Sequence, residues 1–96
     1  MRVLILGSNS MAGHVIKEYL SNYSKFELFG IKEEFFSSFN NNHLKKILEN
    51  EPDIIINTLR LTVQESEENP KLAIIINSII PKKLEIFFYN SNIKII

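Results

Sequence analysis

Apolar positions along the chain come in short blocks separated by polar turns, and the blocks alternate between strand-like and helix-like spacing. Val3–Leu6 is an unbroken apolar run, β-branched at Val3 and Ile5 and stopped by Gly7, the pattern of a strand covered on both faces. After a turn at Gly7–Ser10, Val15, Ile16, Tyr19, Leu20 and Tyr23 fall on one stripe of a helix running from about Met11 to Tyr23, which predicts that the stripe packs on the sheet. Phe26–Ile31 reads as a second strand, followed by an Asn-rich connection in which Ser38-Phe39 adds a brief pairing. Asn40 to Asn42 offer caps for a short helix carrying Leu44, Ile47 and Leu48, which Pro52 closes. Asp53–Asn57 holds three consecutive Ile without polar alternation, a strand for the sheet centre. A loop over Thr58–Glu68 leads to Asn69-Pro70, a cap followed by proline at the first helical position, and a long helix runs on to about Tyr89. Pro81 inside it removes the hydrogen bond that the Asn77 carbonyl would accept and predicts a kink there. Ile93–Ile96 is the last strand.

The order β-α-β-α-β-α-β predicts an α/β fold, a Rossmann-like parallel sheet with right-handed crossovers and helices on both faces. Residues 1–96 form one unit with no linker or repeat. The sequence stops in a strand that reads as buried, so the expectation is a truncated domain, the first half of a larger one. The helix after Pro70 is apolar on more than one side, through Leu72, Ile74, Ile76, Ile79, Leu84 and Phe87. Such a helix must be buried all round or meet a partner, either a second copy in a homodimer or a missing C-terminal half.

Composition narrows the function classes. Hydrophobic residues make up 45% of the chain, sixteen of them Ile, which is a globular composition. Eleven basic residues balance eleven acidic ones, so no excess positive charge is available for nucleic acid or an acidic membrane. No apolar run approaches the ~20 residues of a membrane span, and Met1-Arg2 precedes only four apolar residues where a signal peptide needs roughly 7–15. The expectation is a cytoplasmic protein. Cysteine is absent, and His14 and His43 lie too far apart for metal spacing. Asp53 is the single aspartate, placed where such a residue caps or turns the chain, so a Ser-His-Asp triad has no seat.

One segment has the position and chemistry of a phosphate site. Gly7-Ser8-Asn9-Ser10-Met11-Ala12-Gly13 follows the first strand and opens the first helix, where backbone N–H groups and the helix dipole hold a pyrophosphate. The spacing is not G-x-G-x-x-G, since Asn9 takes the second glycine's place, nor a P-loop, since His14 stands where Lys is required. It fits G-x-x-G-x-x-G with Ser10 in the middle. Gly7 permits the tight turn, the middle residue lets backbone approach phosphate, and Gly13 lets helix and strand pack closely.

The loop Gly7–Gly13, the segment Pro52-Asp53-Ile54-Ile55-Ile56-Asn57, then Glu67-Glu68-Asn69-Pro70 with Ala73 and Asn77, and Pro81 with Leu84 together resemble the N-terminal half of the dTDP-4-dehydrorhamnose reductase family. These are extended short-chain dehydrogenases/reductases acting on nucleotide sugars. The resemblance implies a Rossmann domain for NADPH or NADH, a C-terminal domain for the sugar nucleotide, and hydride transfer to a 4-keto carbon assisted by a Tyr-x-x-x-Lys pair. It implies that Ser10, Met11 and Ala12 face the pyrophosphate, that Ser38 and Phe39 lie near the adenine, and that Thr58, Leu59 and Thr62 line the path to the nicotinamide. Four positions depart from the family pattern. Ser10 adds a side chain where phosphate comes close, Ser38 stands where an acid is often found, and Leu59 and Arg60 replace small residues. The second strand ends without an acid for a ribose 2′-hydroxyl, while Lys32 follows it in reach of a 2′-phosphate, which favours NADP over NAD.

None of Tyr19, Tyr23 or Tyr89 has Lys four residues on, so no catalytic pair is assigned. The expected function is the NAD(P)-binding fragment of a nucleotide-sugar oxidoreductase, inactive alone. A second reading is a non-catalytic interaction or regulatory module: a degenerate cofactor-binding scaffold, or a receiver-like domain. The receiver plan is the weaker, because it needs acids after the first strand and at the end of a central one, where this chain has Ser8-Asn9 and Asn57.

Overall fold

A computed structural model describes residues 1–36 and 40–96. In chain order the elements are β1 (Arg2–Leu6), α1 (Met11–Leu20), β2 (Glu27–Ile31), a 3-10 turn (Glu33–Phe36), α2 (Asn41–Glu49), β3 (Ile54–Asn57), α3 (Val63–Glu68), α4 (Pro70–Ile74), a π-helical turn (Ile75–Ile79), α5 (Ile80–Phe87) and β4 (Lys94–Ile95). The sheet is parallel throughout, in the order β2-β1-β3-β4. The expected α/β architecture is therefore present, with its strands within one or two residues of the apolar blocks. The brief pairing expected at Ser38-Phe39 lies outside the described residues.

Register explains why the strand blocks are uniformly apolar. Leu4 lies between Phe29 and Ile55, and Leu6 between Ile31 and Asn57. On that face Leu4, Leu6 and Ile55 join Leu44 and Ile47 of α2 and Ile76, Ile80 and Leu84 from the helices after Pro70 in one core. Val3 and Ile5 alternate to the opposite face and are equally buried, on the side where α1 lies against β1. At the start of β3, Asp53 Oδ2 accepts the Arg2 N–H at 2.7 Å while the Asp53 N–H donates to Arg2 O at 2.8 Å, so the carboxylate ties the strand entrance as its position suggested. Asn57 N–H donates to Ile96 O and Ile96 N–H to Ile55 O, which carries the β3–β4 pairing one residue past β4.

Three expectations about helices need correction. Only part of the α1 stripe is covered: Ile16 and Leu20 are half-buried, whereas Val15 and Tyr19 are 57% and 61% exposed, and the helix ends at Leu20, short of Tyr23. The core-forming helices α2, α4 and α5 pack with Leu4, Leu6 and Ile55 on the other face. The α1 helix is seated by Gly13, its one buried residue. Secondly, the loop over Thr58–Glu68 contains α3, started by a reciprocal cap in which Glu65 N–H donates to Thr62 Oγ1 and Thr62 N–H donates to Glu65 Oε1, both at 3.1 Å.

Thirdly, the long helix after Pro70 is interrupted and ends at Phe87. Pro81 cannot donate to a carbonyl behind it, and the chain answers with a wide turn just before it, in which Ile80 N–H bonds back five residues to Ile75 O. No helix among the described residues is long and apolar enough to cross a membrane, and no group of three metal-ligating side chains occurs among them.

Candidate functional site

The strand order reverses direction at β1, which has β2 on one side and β3 on the other, and the crevice beyond the carboxyl ends of β1 and β3 is where open parallel sheets hold ligands. A pocket of about 620 Å³ opens there, within the size range of small-molecule sites. Its floor is the start of α1, at Ser10, Met11 and Ala12, and its sides come from Glu33 after β2 and from Thr58, Arg60 and Thr62 after β3.

Local chemistry fixes the floor. Gly7 has φ of +81°, in the left-handed region open to glycine, and a Cβ there would meet Thr58 Oγ1 at 2.9 Å. A Cβ on Gly13 would collide with the Gly7 carbonyl oxygen. The two glycines thus let the first turn of α1 rest directly on the end of β1. Ser10 caps α1: its hydroxyl donates to Gly7 O at 2.7 Å and accepts the Gly13 N–H at 3.0 Å. Thr58 Oγ1 donates to Leu6 O at 2.6 Å, so with each hydroxyl's proton spent, the 3.2 Å Ser10–Thr58 contact is a close approach. The Ser10 side chain is thereby folded inward onto its own loop. Helical geometry leaves the first-turn N–H groups of Met11 and Ala12 without an intrahelical partner, and both residues line the pocket.

The sequence-predicted residues separate cleanly. Gly7 and Gly13 shape the floor, and Ser10, Met11, Ala12, Thr58 and Thr62 come together around one pocket. Leu59 is buried, and on its exposed side it borders a smaller apolar cleft with Ile16, Ile56 and Ile96 between α1 and the β3–β4 edge. Lys32 is exposed and does not line the pocket. Ser38 and Phe39 lie outside the described residues. Sequence reasoning missed Glu33 and Glu65 as pocket residues, while Arg60, singled out as a departure from the family pattern beside the cofactor, does line the pocket. For Glu33 a signal existed, since the fold's ribose-binding acid falls about 20 residues beyond the glycine loop. His43 is structural: buried, its Nδ1 accepts the Asn40 N–H at 3.0 Å at the start of α2.

Asn77 governs the β3 side of the pocket. From the π-helical turn its carboxamide grips Leu61 at both ends, accepting the Leu61 N–H at 3.0 Å and donating to Leu61 O at 3.4 Å. Leu61 lies between Arg60 and Thr62, so this clamp holds the segment that forms the pocket wall. Asn77→Ala is expected to cost about 1–2 kcal/mol and to leave the Leu61 amide unpaired. Faster hydrogen exchange at residues 58–62 with little change in β1 would be the signature.

Comparison with solved structures shows which proteins share this arrangement. The chain superposes on a dTDP-4-dehydrorhamnose reductase from Clostridium acetobutylicum with a TM-score of 0.81 and 29% identity, over 99% of its own length and 34% of the reductase. It resembles the N-terminal third of that reductase. A second dTDP-4-dehydrorhamnose reductase, from Bacillus anthracis and in complex with NADP, superposes with a TM-score of 0.80 at 24% identity, over 98% of this chain and 34% of the other. The chain therefore spans about a third of the length of the reductases it matches. No protein-family model and no curated protein matches it by sequence. The family resemblance carried by the glycine loop, the Pro52–Asn57 strand and the Asn69–Asn77 segment thus has a reductase fold behind it.

Proposed function

We propose that this chain is the dinucleotide-binding N-terminal part of a nucleotide-sugar oxidoreductase of the dTDP-4-dehydrorhamnose reductase kind, holding the adenosine–pyrophosphate side of NADP(H) or NAD(H). The observation that carries the proposal is the glycine loop resting on the end of β1, with the first-turn residues Met11 and Ala12 lining a pocket at the switch point of the sheet. The residues fit the group: the lack of a Cβ at Gly7 and Gly13 lets α1 begin directly over the end of β1, and amides at a helix start suit a diphosphate. When bound, such a cofactor supplies a hydride. The chain's own residues bind and orient: Met11 and Ala12 through backbone N–H, Thr58 and Thr62 as walls, and Asn77 by fixing those walls.

Its three tyrosines lack the Lys partner of an acid–base pair, so the chain by itself is inactive, and a nucleotide-sugar substrate belongs to the complete protein. A receiver-like role is disfavoured by Asn57 at the end of β3, which has no carboxylate to phosphorylate, although the strand order suits that plan equally.

NADPH is expected to bind the 96-residue chain more weakly than micromolar, since much of the contact surface for a dinucleotide is not in it. An NMR titration should show saturable shifts at the amides of residues 7–13. Absence of shifts there would remove the dinucleotide reading, and micromolar affinity would remove the claim that the site is incomplete.

A further inference from the structure

We infer that Arg60 is a second anchor for the ligand's diphosphate, meeting it from the β3 side of the pocket while the start of α1 meets it from the floor. The inference rests on the dinucleotide reading above and deepens it, by naming a side chain that the backbone cradle does not include. Three observations carry it. Arg60 is the one basic residue among those that line the pocket, which it shares with Ser10, Met11 and Ala12. Its guanidinium makes no ion pair or hydrogen bond among the described residues, which leaves its donors to a ligand. Its backbone is held on both sides: Leu59 N–H donates to Asn57 Oδ1 at 3.1 Å, and the Asn77 carboxamide grips Leu61. The root of the long side chain is thus fixed at the pocket wall, which lowers the cost of ordering it on a ligand.

Chemistry and position then agree. A guanidinium presents paired N–H donors that match phosphate oxygens, and such charge-assisted bonds are the strong ones. A dinucleotide lies across the crevice where the strand order reverses, so a diphosphate seated over the start of α1 has the β3 side of the pocket next to it. Two acidic residues line the same pocket, Glu33 from the β2 side and Glu65, whose Oε1 accepts the Thr62 N–H at 3.1 Å, and neither pairs with Arg60. The arginine therefore also offsets the charge that a diphosphate brings into their company. A small residue at this position, as in the family pattern, could do neither.

Parallel NMR titrations of the 96-residue chain with ADP and AMP test this, since only ADP carries a second phosphate. ADP should bind roughly tenfold more tightly than AMP, the scale of one hydrogen bond between charged groups, and the advantage should shrink at high salt. In Arg60→Ala the ratio should fall to about twofold with AMP binding as before, and Arg60→Lys, which keeps the charge but not the fork of donors, should recover part of it. The same spectra report whether each variant is folded. A ratio near one in the unaltered chain, or one that Arg60→Ala leaves unchanged or raises, with shifts at residues 7–13, would overturn the role of Arg60 and leave the dinucleotide reading standing. Titrations in which neither nucleotide shifts the loop amides would overturn both.

Discussion

Gly13→Ala is expected to abolish detectable binding of either dinucleotide. The added methyl group would collide with the Gly7 carbonyl oxygen and approach Thr58 Oγ1 to 2.9 Å, so α1 must lift off the end of β1. Overpacking of this kind costs about 1–3 kcal/mol, partly offset by the ~1 kcal/mol better helix propensity of alanine. Net stability should therefore change little while the phosphate cradle is displaced. The shifts at residues 7–13 should disappear from the titration in a chain that still melts cooperatively. Retention of those shifts would show that the close contact is not what shapes the site.

Leu84→Ala should have the largest effect on stability. Leu84 is fully buried, midway along the line of side chains that α5 presents to β1 and β3, and truncating a buried Leu costs about 2–5 kcal/mol. A chain of this size holds only ~5–15 kcal/mol in total, and each kcal/mol is worth roughly 4–8 °C in Tm. A fall of at least about 10 °C is expected by circular dichroism. A shift of only a few degrees would mean that the core around α5 can collapse into the gap.

What the sequence made legible, and what it hid, follows from the range of each interaction. Val3–Leu6 and Ile54–Asn57 were readable because a central parallel strand must be apolar on both faces, a demand written entirely in consecutive residues. The Ser10 cap and the glycine loop are equally local. The outer half of the α1 stripe misled because periodicity at Val15, Tyr19 and Tyr23 reports an apolar flank without saying whether anything lies beside it. The Thr62–Glu65 cap was in plain view, but Glu65, Glu67 and Glu68 read as a solvated run and α3 is only six residues long. Glu33 escaped because it sits in a turn two residues past the end of β2, and its spacing from the glycine loop was outweighed by Lys32, which stands nearer the strand end. The grip of Asn77 on Leu61 joins residues on either side of two helix starts, and no pattern within one element contains it.

The wide turn at Ile75–Ile79 has a consequence for helical phase. Ile76, Ile80, Leu84 and Phe88 recur at strict intervals of four and all are buried. In an ideal α-helix each step of four overshoots a full revolution by about 40°, so four such residues would spiral around the rod and the last would leave the core. A turn with more residues per revolution takes up part of that drift. The residue before a proline is usually thought of as a place where a helix fails; here the loosened winding keeps one line of side chains in step with the sheet, and the Asn77 carboxamide that holds Leu61 stands within it.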